Sequence, residues 1–291
     1  MDDWRNGGFG LYVHWPFCQA KCPYCDFNSH VVSQIDQSAW VTAYQSELRR
    51  MGELLPDRLL NSIFFGGGTP SLMHPDTVAA VIEAARENWT FANDIEISLE
   101  ANPGSVEAGR FAGYRDAGVN RISMGIQALN DDDLRRLGRI HSVDEARTAF
   151  DVARNCFDRV SFDLIYARQN QTPADWRAEL KQALSYAIDH LSLYQLTIED
   201  GTAFGDRYKR GGLRDLPEEN ARVAHRFKVV KPSLGTAFAL TQPNRWMTAR
   251  HVIDGCKRML LVDRRSPNAQ WKVIGKVRDA YSHPSADVGI L

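Results

Sequence analysis

The 291-residue chain lacks a long apolar run, a charge surplus of either sign and a fourth clustered cysteine. No stretch approaches the ~20 apolar residues that cross a bilayer, so stable membrane insertion is not expected. Lys plus Arg number 35 against 36 Asp plus Glu, so no overall field draws the chain to nucleic acid or anionic lipid. The opening MDDWRNGG has neither the basic start nor the apolar stretch of a secretory signal or transit peptide. Of five cysteines, Cys18, Cys22 and Cys25 cluster while Cys156 and Cys256 stand alone, which is not an even disulfide framework. A reducing cytoplasm is the expected setting. Internal repeats and low-complexity tracts are also missing.

What is present is a βαβα rhythm from about residue 11 to 200, the pattern of a parallel sheet with covering helices. Six strands are predicted, at 11–15, 62–65, 95–100, 121–127, 159–166 and 190–196. Between the first two, Trp40, Tyr44, Leu48 and Met51 recur at helical spacing over 38–51. Read at period two, the strands have two faces. Ile95, Ile97 and Leu99 oppose Glu96, Ser98 and Glu100; Ile122, Met124 and Ile126 oppose Ser123, Gly125 and Gln127; Phe162, Leu164 and Tyr166 oppose Ser161 and Asp163. Gln195 and Thr197 continue the polar set. Such a polar, small-residue face does not suit the dry interior of a closed eight-stranded barrel and predicts a wet ligand cavity. The alternative is an antiparallel sheet with one solvated face, which the intervening helices argue against.

The cysteines follow the first strand with the spacing C-x3-C-x2-C. Structural zinc and ordinary iron–sulfur clusters each take four protein ligands. A Cys3His zinc site completed by His14 or His30 is one reading. A [4Fe–4S] cluster on three thiolates, with one iron left for an exogenous ligand, is the other. Gly66, Gly67 and Gly68 end the second strand, where missing side chains permit close backbone approach. The run lacks the Lys-Ser/Thr ending of a phosphate-binding P-loop. Glu100, Gln127 and Asp163 lie on the same inward face.

C-x3-C-x2-C after the first strand of a partial (β/α)6 barrel resembles the radical S-adenosylmethionine (SAM) superfamily. The wording YVHWPFCQAKCPYCDFNSH, FFGGGTPS, SLEANPGS, NRISMGIQALND, LGRIHS, SFDLIYARQNQTPADW and HLSLYQLTIEDGTAF is similar, over about residues 9–225, to the HemW family of heme chaperones. That family is related to the oxygen-independent coproporphyrinogen III dehydrogenases. The resemblance implies cluster ligands Cys18, Cys22 and Cys25, and SAM contacts at Tyr12, Tyr24, Gly67, Gly68, Thr69, Glu100, Gln127, Arg139 and Asp163, with Thr197 as a further candidate. It implies heme or a porphyrin, a heme-accepting protein and an electron donor as partners. The dehydrogenases resemble C-x3-C-x2-C-x-C, and Phe27 stands here at the last position. This favours the chaperone branch over propionate decarboxylation. The heme-associated H-N-x-x-Y-W string of the family does not occur in the sequence.

Near residues 226–232 the rhythm changes to short β runs, GTAFAL, RWMTA, RMLLV, QWKVIGKV and DVGIL, which predicts a boundary between domains 1–228 and 229–291. GTAFALTQPNRWMTARHVIDG and HPSADVGIL resemble the first β-barrel of trypsin-like serine peptidases, a small all-β half-barrel. That resemblance implies a general base at His251 and its orienting carboxylate at Asp287. The G-[DN]-S-G-G nucleophile loop does not occur in the sequence, so an incomplete, inactive triad is expected.

Overall fold

The computed structural model describes residues 8–105, 108–187 and 190–217, and a set of short strands beyond them. Met1–Gln169 with Arg177–Leu216 make one compact unit; Asn170–Trp176 with Pro217–Leu291 make a second.

The first unit is built on six strands, β1 (Phe9–Trp15), β2 (Leu59–Gly67), β3 (Thr90–Ala101), β4 (Arg121–Gln127), β5 (Arg159–Tyr166) and β6 (Leu191–Gln195). They pair in sequence order and all neighbours run parallel, with β1 and β6 at the edges. This is the partial (β/α)6 barrel expected from the rhythm. β2 and β3 start earlier than their apolar runs, because Leu59 pairs with Thr90 and Leu60 with Phe91 ahead of a register shift. Pairing there comes from the neighbouring strand, which local composition does not report.

The connecting helices are α1 (Gln37–Leu54), α2 (Pro75–Asn88), α3 (Ala108–Ala117), α4 (Asp131–Arg136), α5 (Val143–Cys156), α6 (Pro173–Tyr186) and α7 (Ala203–Lys209). Their starts are chemically marked. Asp36 accepts from the Ala39 amide, Asn130 from Asp132 and Asp133, and Ser142 with Glu145 closes a capping box. The apolar strand face is buried beneath the helices: Val13, Ile63, Phe65, Ile97, Leu99, Ile122, Met124, Phe162 and Leu164 join Val78, Val81, Phe111 and Phe150 in the core.

The opposite face forms the lumen, and its base is drier than the alternation predicts. Ser98 and Ser161 are fully buried there. Arg121 covers them, donating from Nη1 to Ser98 Oγ at 3.1 Å and from Nη2 to Ser161 Oγ at 2.9 Å. The open space lies one layer higher, at the carboxyl ends of the strands. In the sixth strand Ser192 pairs with Asp163, Tyr194 with Ile165 and Gln195 with Tyr166, so Ser192 and Tyr194 share the lumenal side, and Gln195 and Thr197 at the end of the strand also border the cavity.

In the second unit, Ala237–Ala239 pairs antiparallel with Trp246–Thr248, which pairs with Gly289–Ile290, itself paired with Tyr281–Ser282. Leu260–Asp263 pairs separately with Lys272–Lys276. Five of these six strands fall in or overlap the predicted β runs and Tyr281–Ser282 falls outside them; they form two separate sheets and not one described half-barrel. His251 and Asp287 lie outside the described residues.

Candidate cofactor site

The loop after β1 carries all three clustered cysteines. Cys18 is buried, Cys22 and Cys25 are half-buried, and all are free thiols. A turn places the Cys25 amide on the Cys22 carbonyl at 3.0 Å. The glycine run at the end of β2 is joined to this loop: Gly68 N donates to Trp15 O and Thr69 N to Phe17 O, each at 2.7 Å. A β-carbon on Gly68 would lie 2.6 Å from Phe17 O and 3.0 Å from Cys18 Sγ. Gly67 adopts φ +115°, where a side chain is strained. These glycines therefore serve the cysteine loop as well as the cavity beside it.

That cavity has a volume of about 360 Å³. Its lining includes the three cysteines and Tyr24, Gly67, Gly68, Thr69, Glu100, Gln127, Arg139, Asp163 and Thr197. Residues spread over the chain from 18 to 197 thus meet in one place, as the six parallel strands require. Tyr12 is the exception. It sits one layer deeper on β1, more than half exposed, with its ring stacked on Phe64 and its hydroxyl 3.3 Å from His14 Nδ1. Period two explains the difference, since His14, two residues on, is the β1 residue nearest the cavity layer.

Two carboxylates face the space. Glu100 accepts from the Gly67 amide at 3.3 Å; Asp163 accepts from Ile126 N at 3.1 Å and Gln127 Nε2 at 2.8 Å. Burial pushes Glu100 up to about 7, and the nearby Asp163 charge adds to the rise. Burial likewise raises Asp163 to about 6, against the opposing pull of Gln127 and Arg139. Arg139 donates from Nη1 to Cys22 Sγ at 3.3 Å, and from Nη2 to Asn102 Oδ1 at 3.1 Å and Gly125 O at 2.9 Å. His141 is buried and held down to about 4, by burial and then by Arg139. It is therefore neutral at pH 7, and its Nε2, 3.2 Å from the Ile126 carbonyl, must be the protonated nitrogen.

Sequence reasoning missed Asn102 and Tyr194 as lining residues, whereas Ser123, placed on the polar face by the alternation, lines the cavity as expected. Asn102 follows Glu100 by two, so extending the period past the strand end finds it. Tyr194 had no such signal, because the phase of β6 is set by its pairing with β5.

The sequence matches the family model described as the radical SAM superfamily over residues 12–183. The chain belongs to the radical SAM superfamily. Among curated relatives it is 44% identical over 217 residues to heme chaperone HemW of Haemophilus influenzae, covering 72% of this chain and 55% of that one. It is 42% identical over 204 residues to radical S-adenosyl methionine domain-containing protein 1, mitochondrial, of Mus musculus, covering 70% and 46%. The chain spans about half the length of these relatives. The solved structure of coproporphyrinogen III oxidase (HemN) from Escherichia coli superposes with a TM-score of 0.66 at 28% identity, over 75% of this chain and 50% of that one.

Membership of the radical SAM superfamily implies a [4Fe–4S] cluster and SAM, and the donor set fits them. Three soft thiols border one cavity. Among the described residues no three His, Cys, Asp or Glu side chains converge on a single ion, and His14 Nε2 is already 2.9 Å from the Asn28 carbonyl. A Cys3His zinc site through His14 is thereby disfavoured. Arg139 Nε is buried without a partner, a donor left over for a bound group. No helix among the described residues is long and apolar enough to cross a membrane.

Proposed function

We propose that the barrel is a heme chaperone of the HemW type, working in the cytoplasm. In this reading Cys18, Cys22 and Cys25 hold a [4Fe–4S] cluster, and Tyr24, Gly67, Gly68, Thr69, Glu100, Gln127, Arg139 and Asp163 receive SAM. Tyr12, which the family resemblance also implies, stays in the proposed set; burial raises its hydroxyl pKa, and Glu100 of the cavity is close enough to add to the rise. The observation that carries the proposal is the joining of three thiols and a pair of carboxylates around one cavity, in a chain 44% identical to a heme chaperone.

Cys18, Cys22 and Cys25 would hold the cluster, which would supply the one-electron reducing chemistry directed at SAM. The chain's own residues do the rest. Gly67 and Gly68 let backbone come close, Arg139 sets its positive charge against Cys22, and Gln127 fixes the orientation of Asp163. Phe27, exposed beside the cavity, offers no thiolate. Heme, a heme-accepting protein and an electron donor complete the proposed set of partners.

Anaerobic reconstitution is expected to give about four irons per chain, with a paramagnetic signal that changes on adding SAM. Hemin should bind stoichiometrically without decarboxylation of coproporphyrinogen III. Normal iron loading in a C18A/C22A/C25A variant would sink the cluster assignment. The likeness to coproporphyrinogen III oxidase favours the second reading, a dehydrogenase; release of carbon dioxide from coproporphyrinogen III under anaerobic conditions would establish it.

A further inference from the structure

Three hydrogen bonds meet on Ile126, next to last in β4. The Ala128 amide donates to the Ile126 carbonyl at 3.0 Å and closes a three-residue turn centred on Gln127, whose φ is +72°. A positive φ gives the rare, strained hand of the γ-turn. The pairing of β4 with β5 shifts register here, between Met124 and Gln127. The Ile126 amide donates instead to the Asp163 carboxylate at 3.1 Å, and Gln127 Nε2 donates to the second carboxylate oxygen at 2.8 Å. One strained turn therefore aims both of the donors that orient Asp163.

The third bond comes from outside the sheet. His141, between α4 and α5, donates from Nε2 to the same Ile126 carbonyl at 3.2 Å. Two residues earlier, Arg139 Nη2 donates to the preceding carbonyl, that of Gly125, at 2.9 Å. The segment thus grips two successive carbonyls at the end of β4. Burial alone does not account for a histidine at this position. Its side chain is 4% exposed, and its Nδ1 has no partner among the described residues. A buried nitrogen without a partner is destabilising, and an apolar side chain of similar volume would fill the space without that cost. What the imidazole adds is one donor, aimed at Ile126.

We propose that His141 is a positioning residue for the cofactor cavity: its bond to Ile126 holds the strained turn that points Gln127, and through it Asp163, at the bound group. His141 is not among the residues that line the cavity, whereas Gln127 and Asp163 are, so its influence passes through them. Without the clamp, the turn is free to relax toward negative φ, which swings the Gln127 side chain away and leaves Asp163 without its second donor. The proposal rests on the reading of this cavity as the SAM site.

The test uses the full chain with its cluster reconstituted, titrated with SAM by isothermal calorimetry. H141L keeps the volume and removes the donor, and is expected to bind SAM about tenfold more weakly, the usual reach of one well-made hydrogen bond. H141Q, whose amide can donate to the same carbonyl, should recover most of the loss. Rescue that follows the donor is not expected of a histidine that merely fills space. In a Q127A background H141L should cost much less than in the wild type, because part of its route to the cavity is already gone. Iron content should stay at about four per chain in every variant; loss of iron in H141L would assign the residue to the cysteine loop and overturn the proposal. If H141L does not fold, H141N carries the test, since its amide is too short to reach Ile126 and should weaken SAM similarly. Wild-type affinity in H141L or H141N, or H141Q as weak as H141L, would overturn the positioning role and leave the SAM reading intact. Iron-loaded wild type that does not bind SAM would overturn both.

Discussion

Gln127 donates from Nε2 to Asp163 Oδ2 at 2.8 Å while its own backbone stands at φ +72°. A non-glycine residue in the left-handed region is strained, and here the surroundings hold it. Asp163 takes the Ile126 amide, His141 takes the Ile126 carbonyl, and Glu179 takes the Leu129 amide at 2.8 Å. Side chain and backbone therefore contribute with opposite signs. Q127A keeps the strain and leaves a buried carboxylate oxygen without its donor, at a cost of about 1–3 kcal/mol. Q127G loses the same bond but relaxes the backbone, so it should be more stable than Q127A by about 1 kcal/mol. Urea unfolding of both variants checks the order; Q127A at or above Q127G would show that the backbone is not strained.

Glu100 and Asp163 make a second prediction, on pH. Both folded-state values lie above the ordinary carboxylate range, at about 7 and about 6. The folded state then binds more protons than the unfolded one between about 4 and 7. Their contribution to stability is fully present below the unfolded values and is lost as pH rises through the folded ones. Thermal stability of the cluster-free protein should fall from pH 5 to pH 7.5. E100Q, which stays neutral, should flatten that slope. A slope unchanged in E100Q would place the titration elsewhere.

The sheet and its two faces were legible because burial imposes a period of two on each strand: Ile97 and Leu99 are buried on the helix side, and Glu100 faces the cavity. The cysteines and glycines were legible as local motifs. The absence of Tyr12 from the cavity lining and the presence of Tyr194 in it share one reason. Which layer of the lumen a strand residue occupies depends on its register with the next strand, and register is a pairing property that a single strand does not encode. The floor formed by Ser98, Ser161 and Arg121 was hidden similarly, since its burial comes from an arginine reaching across two strands.

Gly68 makes a third prediction, joining the cysteine loop to stability. Its φ is not in the left-handed region, so only space matters. An alanine β-carbon would meet the backbone oxygen of Phe17, which cannot swing aside as a side-chain tip can. Overpacking of this kind costs about 1–3 kcal/mol. The relief is a shift of Cys18, so G68A should also lower iron content per folded chain. Full iron loading together with unchanged stability would mean that the loop gives way freely.

Arg168 supplies the last prediction. It is buried after β5 and bridges Asp133 Oδ2 at 2.9 Å and Glu179 Oε2 at 2.7 Å. Glu179 also receives the Leu129 amide, two residues beyond Gln127. Removing the guanidinium leaves two carboxylates in a poorly hydrated site, and breaking a buried pair costs about 3–5 kcal/mol. For a domain of this size, each kcal/mol moves the melting temperature by about 2–4 °C. R168M should therefore melt roughly 6–20 °C lower. The double variant R168M/E179Q, with one charge removed alongside the cation, should recover part of the loss, because the penalty comes from the excess of negative charge around Glu179 and Asp133, the latter still 3.1 Å from Arg136, and not from lost volume. A double variant no more stable than R168M would show that packing around the arginine, and not its charge, holds the loop that follows β4.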